Sequence, residues 1–147
     1  MNTEKISAFA PLPIRIMAGI AFIVHGLPKF ENLPGTQGFF GSVGIPPELA
    51  LIIGILEVIG GIVLILGVFT RIASILFIIE MAGAVLIVKA GNGLIGQGGY
   101  EVDLLLMSIA ISLLLSGPGR VSLERDVIKR ELFPGIIYKK NKIENAT

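Results

Sequence analysis

LALIIGILEVIGGIVLILGVFTRIASILFIIEMAGAVLIVK, residues 49–89, decides the reading of this 147-residue chain. It divides at Phe69-Thr70-Arg71 into two apolar runs, 49–68 and 72–88. Glu57 alone interrupts the first, and Ser74 and Glu80 interrupt the second. At a rise of about 1.5 Å per residue, either run makes a helix long enough, with modest adjustment at its ends, for a hydrocarbon core of about 30 Å. Glu57 stands nine residues after Glu48, and Glu80 nine after Arg71. Antiparallel threading therefore puts the two carboxylates at similar depth. An acid at mid-bilayer costs about 2.5–3.5 kcal/mol on insertion scales, so both are expected to face a bundle interior, paired or protonated.

Composition agrees with a membrane protein. Hydrophobic residues make up 53% of the chain and charged residues 16%, more apolar sequence than one small soluble core would use. Cysteine is absent and histidine occurs once, which excludes disulfides, thiolate zinc, cysteine-held iron–sulfur clusters and bis-histidine haem within this chain. No covalently bound cofactor and no metal site are expected, and no nucleic-acid partner. The first apolar run lacks the short apolar region and small-residue cleavage site of a signal peptide, so it is read as a retained span.

Working outward, a first span is predicted at 13–27, beginning at Pro13, where a missing amide is tolerated. Arg15, Gly19, Phe22, His25 and Gly26 share one stripe of it, with Lys29 extending the stripe if the helix continues through Pro28. Residues 30–47, rich in glycine and proline, read as an outer loop in which a short helical turn is possible. In the second and third spans Glu57 and Glu80 are flanked by small residues on their own faces, among them Gly54, Gly61 and Ala84, which permits close helix approach. Residues 89–100 carry five glycines and read as a second outer loop. A fourth span is predicted at 101–116, where Glu101, Ser108 and Ser112 share a stripe and Asp103 points elsewhere. Gly117-Pro118-Gly119 ends it.

Residues 117–147 read as a tail. Ser122 can cap a short amphipathic helix with Glu124 and Asp126 in its first turn and Leu123, Val127, Leu132 and Phe133 on its apolar side. The basic residues beyond Tyr138 suit anionic headgroups. The expected architecture is thus all-α, a single four-helix transmembrane domain with a short cytoplasmic amphipathic helix. Four spans put both termini on one side, together with ten of the twelve lysines and arginines; Lys29 and Lys89 lie on the other. The positive-inside rule then makes both termini cytoplasmic, in the cell membrane. On that side the acceptor pattern Asn145-Ala146-Thr147 has no meaning.

The order of several short features resembles the DoxX-like family of membrane proteins. They are Arg15 and Gly19 ahead of His25-Gly26 and Lys29; Glu57-Val58-Ile59-Gly60-Gly61; Gly67 with Thr70-Arg71; Asn92-Gly93 with Gly98-Gly99-Tyr100-Glu101; and Gly117-Pro118-Gly119-Arg120. Together they span residues 13–124. The resemblance implies a prokaryotic four-helix bundle similar to the membrane subunit of thiosulfate:quinone oxidoreductases. It implies an accessory or quinone-facing subunit, working with other membrane subunits in the bilayer.

Each candidate residue has a functional and a structural reading. Glu57 and Glu80, with Arg15, form either a proton relay under a quinone-like headgroup or a lock between helices. His25 and Glu101, with Ser108 and Ser112, shape an outward polar pocket in which His25 exchanges protons near neutral pH, or they are satisfied interfacial groups. Arg15 snorkels to phosphate or turns inward, and Lys29 and Lys89 anchor the outer interface. The competing function is a structural or anchoring subunit whose small-residue faces bind partner helices. A small-solute carrier ranks behind it, since no inverted repeat is visible.

Overall fold

The structure, a computed structural model, describes residues 7–133. It is an all-α bundle, with no strand among the described residues. Helix α1 is Pro11–Glu31, α2 Leu33–Ser42, α3 Leu49–Leu66, α4 Thr70–Gly83 and α5 Glu101–Ser116. A π-helical turn, Ala84–Val88, continues α4, and a second, Leu123–Ile128, lies in the tail. Three helices are long and apolar enough to cross a membrane: Pro11–Glu31, Leu49–Leu66 and Thr70–Val88. Helix α5 has 16 residues.

Local chemistry sets the boundaries. Helix α1 starts with prolines at positions where no intrahelical amide is needed, and it runs through Pro28 to Glu31, one turn beyond the expected end at residue 27. Asn32 then caps α2, its Oδ1 accepting from Gly35 N–H at 3.1 Å, so the expected loop at 30–47 is largely a ten-residue helix. The α3–α4 corner is a Schellman motif. Gly67 takes φ 66°, its N–H donates to Leu64 O and that of Val68 to Val63 O. Helix α4 begins at Thr70, two residues earlier than expected. It loosens into the π-turn at the far end, where Lys89 N–H reaches back five residues to Ala84 O at 2.9 Å.

Helix α1 packs chiefly on α3 and α4 on α5. Between α1 and α3 the backbones touch. A Cβ on Gly61 would stand 2.6 Å from Gly19 O, and one on Gly19 would stand 2.5 Å from Gly61 O. At this contact Gly19 and Gly61 serve the interior of the bundle. Gly61→Ala must push the helices apart and is expected to cost about 1–3 kcal/mol, the usual penalty of overpacking. A lowered unfolding temperature in detergent checks this, and an unchanged one would refute the contact.

The core is Ala18, Phe22, Leu64, Ala73, Phe77, Met81, Leu106, Ala110 and Leu113. Phe22 and Phe77 stack with ring centroids 3.5 Å apart at its centre. The outward faces are predominantly apolar, with Met17, Ile59, Ile79, Leu105 and Leu115 all exposed, as a lipid-facing surface requires.

Candidate functional site

Above the Phe22–Phe77 pair, on the side away from the tail, the helices diverge around a cavity of about 1180 Å³. Helix α2 and the glycine-rich segment before α5 form its rim; the faces of α1, α3, α4 and α5 form its walls. The π-turn contributes Ala84, Ile87 and Val88. The floor is a cluster contributed by three helices. Glu57 of α3, 3% exposed, pairs with Lys29 of α1 at 2.5 Å, and Lys29 also donates to His25 O at 2.9 Å. Glu80 of α4 interacts with both Glu57 and Lys29, and its Oε2 is buried without a hydrogen-bond donor. The two mid-span acids therefore turn inward and meet.

Lys29 occupies the place that sequence reasoning gave to Arg15. Gly26 lies against Glu57, since a Cβ there would come within 2.9 Å of Glu57 Cβ. Arg15 is eleven residues away along α1, about 16 Å at helical rise. It cannot reach the floor. Lys29 sits one turn above it, and its four-carbon stem extends downward and inward instead of outward to water.

At the rim, Lys89 pairs with Asp103 at 2.5 Å and donates to Gly99 O at 3.2 Å. Asp103, expected to point elsewhere, is therefore a lining residue. Glu101 also lines the cavity, its carboxyl folded over Gly99, where there is no side chain in the way. Its Oε2 is buried and accepts nothing. His25 is exposed on the cavity side, with Nδ1 2.7 Å from Ala21 O. A carbonyl only accepts, so Nδ1 carries a hydrogen and Nε2 is the ring nitrogen left to the cavity.

Ser108 and Ser112 are not part of this cavity. They line a shallow depression on the bundle's flank with Pro13, Ile14, Met17, Leu105 and Ile109, and Ser108 spends its hydroxyl on Leu104 O at 2.8 Å. Glu101 shares their stripe by helical angle but occupies the first residue of α5, from which its long side chain turns to the opening.

The opposite end is closed. Arg15, fully buried, donates to Pro118 O and to Val121 O, the latter at 2.6 Å, and so ties the tail to the foot of α1. Glu124 accepts from Phe69 N–H at 2.5 Å, while Arg71 binds Glu131 at 3.0 Å and Leu114 O. Burial pushes the Glu124 carboxyl above its ordinary range; the Phe69 bond opposes this and Glu131 adds to it. The expected amphipathic helix is here a six-residue π-turn, capped by Ser122 as its sequence foretold but anchored through a buried Glu124. The basic residues beyond Tyr138 lie outside the described residues.

Long apolar helices around an inward-facing ionisable cluster define a helical membrane protein. The DoxX family profile matches residues 10–90, over half of the chain. Relatives align over 80–99% of their length. "Putative oxidoreductase CatD" of Bacillus subtilis is 40% identical over 126 residues, 86% of this chain and 92% of its own. "Uncharacterized membrane protein Rv3486" of Mycobacterium tuberculosis is 34% identical over 131 residues, 80% of each. "Inner membrane protein YphA" of Escherichia coli is 32% identical over 139 residues, 85% of this chain and 99% of its own. No solved structure matches the chain significantly. The chain belongs to the DoxX family.

Proposed function

We propose that this chain is the quinone-facing subunit of a membrane oxidoreductase assembly and that the cavity receives the quinone ring. The observation that carries this reading is an apolar cavity, wide enough for such a ring, with ionisable groups at two levels. Lys29, Glu57 and Glu80 form its floor, and His25 and Glu101 stand nearer its mouth. Quinone sites must bind an apolar body and exchange protons at its polar edge, and this lining offers both. One ammonium beside two carboxyls is neutral only when one carboxyl holds a proton, so giving that proton to a ring oxygen leaves the floor with a buried negative charge that favours its return. A quinone supplies the two-electron chemistry; the chain's residues hold its ring and move protons at its oxygens. With no cysteine and a single histidine, the chain has no ligand set for an iron–sulfur cluster or bis-histidine haem, so the electrons come from another membrane subunit. That one relative is named an oxidoreductase supports the same reading.

The experiment is extraction of lipid from purified protein and mass spectrometry of any quinone retained. The wild type is expected to carry quinone, and His25→Ala and Glu101→Ala are expected to lose most of it without a change in unfolding temperature. A wild type free of quinone, or retention that ignores both substitutions, would refute the site.

We also infer that α5 is a fourth crossing and that both termini are cytoplasmic. The distribution of lysine and arginine supports this, as does a length of about 24 Å, close to the bilayer core. Because the chain has no cysteine, single-cysteine variants report sidedness directly. Ser42→Cys in α2 is expected to react with an impermeant maleimide in intact cells, and Val127→Cys in the tail only after lysis. Labelling of both from outside would mean that α5 does not cross.

A further inference from the structure

The ammonium groups in the cavity wall are each committed to a carboxylate and a carbonyl of the protein, whereas two buried carboxylate oxygens there have no donor. Lys29 holds Glu57 and His25 O; Lys89 holds Asp103 and Gly99 O; Thr36 donates to Asn32 O at 3.1 Å. By contrast, Glu80 Oε2 at the floor and Glu101 Oε2 at the rim are buried and receive no hydrogen bond. In the tautomer with its hydrogen on Nδ1, His25 presents Nε2 as a further acceptor.

An oxidised quinone presents two carbonyl oxygens, acceptors only, and would set lone pairs against lone pairs at these positions. The two-electron, two-proton reduced form presents two hydroxyl donors at opposite edges of the same flat ring. From this we propose that the cavity is a hydroquinone site, selective for the reduced ring over the oxidised one, with Glu80 and Glu101 as the acceptors that discriminate between them. This rests on the quinone reading above and adds the redox state that the lining prefers. Phe39 and Phe40 at the mouth, edge to face with centroids 6.3 Å apart, suit a planar ring in either state, so selectivity falls to the acceptors. Buried acceptors left without donors lose the free energy of a hydrogen bond each, and two such bonds are expected to separate the two forms by about tenfold in affinity.

The test uses the full-length protein in nanodiscs under argon, titrated calorimetrically with a decyl-substituted benzoquinone and, separately, with its chemically reduced hydroquinone. Hydroquinone is expected to bind about tenfold tighter. Glutamine keeps the shape of glutamate but can offer an N–H, so in Glu80→Gln/Glu101→Gln the hydroquinone should weaken and the quinone tighten, bringing the two within about twofold. A damaged fold cannot produce that gain for the quinone. Equal affinities in the wild type, or preference for the oxidised ring, would overturn the selectivity while leaving the quinone reading in place. Binding of neither form would overturn both.

Discussion

Lys29→Met is expected to be among the most damaging substitutions in the chain, lowering stability by about 3–5 kcal/mol, the usual cost of stripping one partner from a buried ion pair. The reason lies in the floor of the cavity. Glu57 is almost completely buried, and Glu80 is a second carboxyl beside it. Without the ammonium, two acids face each other in a low-dielectric interior with no cation on hand. The decisive comparison is the double variant Lys29→Met/Glu57→Gln. Removing both charges together leaves a neutral amide in place of the acid, and much of the lost stability should return. Unfolding by heat or by denaturing detergent measures both. A harmless Lys29→Met would mean that the lysine is only an interfacial anchor, and a double variant no better than the single would mean that the damage is not electrostatic.

Arg15→Met should be nearly as costly, for a different reason. Here the guanidinium serves two backbone carbonyls, those of Pro118 and Val121, over a hundred residues along the chain. Methionine fills much of the apolar stem's space but leaves both oxygens buried and unpaired, and each costs about 1–3 kcal/mol, so a total of about 2–6 kcal/mol is expected. The loss should be visible as early proteolytic cleavage after residue 117 and as a lowered unfolding temperature. Arg15→Lys should fall between the two, since an ammonium retains charge but not the fork that reaches two acceptors at once. A tail that stays resistant to protease in Arg15→Met would show that Arg71 and Glu124 hold it unaided.

Much of the fold was legible because its determinants are local. An apolar run of about twenty residues declares a membrane helix by length alone, and a carboxylate within it declares the inward face, because lipid is the costlier alternative. Glu57 and Glu80 are therefore legible in the sequence as a pair. Their cation was harder to choose. Arg15 and Lys29 share the relevant stripe of α1, and the choice depends on which end of α1 lies beside Glu57, a matter of depth in the bundle. The antiparallel threading contained that information: Glu57 lies nine residues from the same end of the bundle as Lys29. Helix α2 was also within reach, through Asn32 as a cap and Pro34 in the first turn, but the seven glycines and prolines of residues 30–47 argue for a loop.

Other features left no trace in local pattern. Helical angle turns Asp103 away from the Glu101 stripe, yet it pairs with Lys89, which follows directly on the π-turn at the end of α4. Ser108 and Ser112 were grouped with Glu101 on the same angular argument, which does not describe where a long side chain at a helix's first residue goes. The docking of the tail could not be read at all, because Arg15 binds main-chain oxygens there and a backbone carbonyl has no signature in sequence.

That docking has a consequence for traffic through the molecule. Ala8 O accepts from Arg120 N–H at 2.8 Å, so the foot of the first helix and the exit of the last are stitched together beneath a solid plug of Phe22, Phe77, Leu64 and Leu113. Passage from the cavity toward the tail end along the bundle axis would require unpicking that stitch and displacing those side chains at the same time.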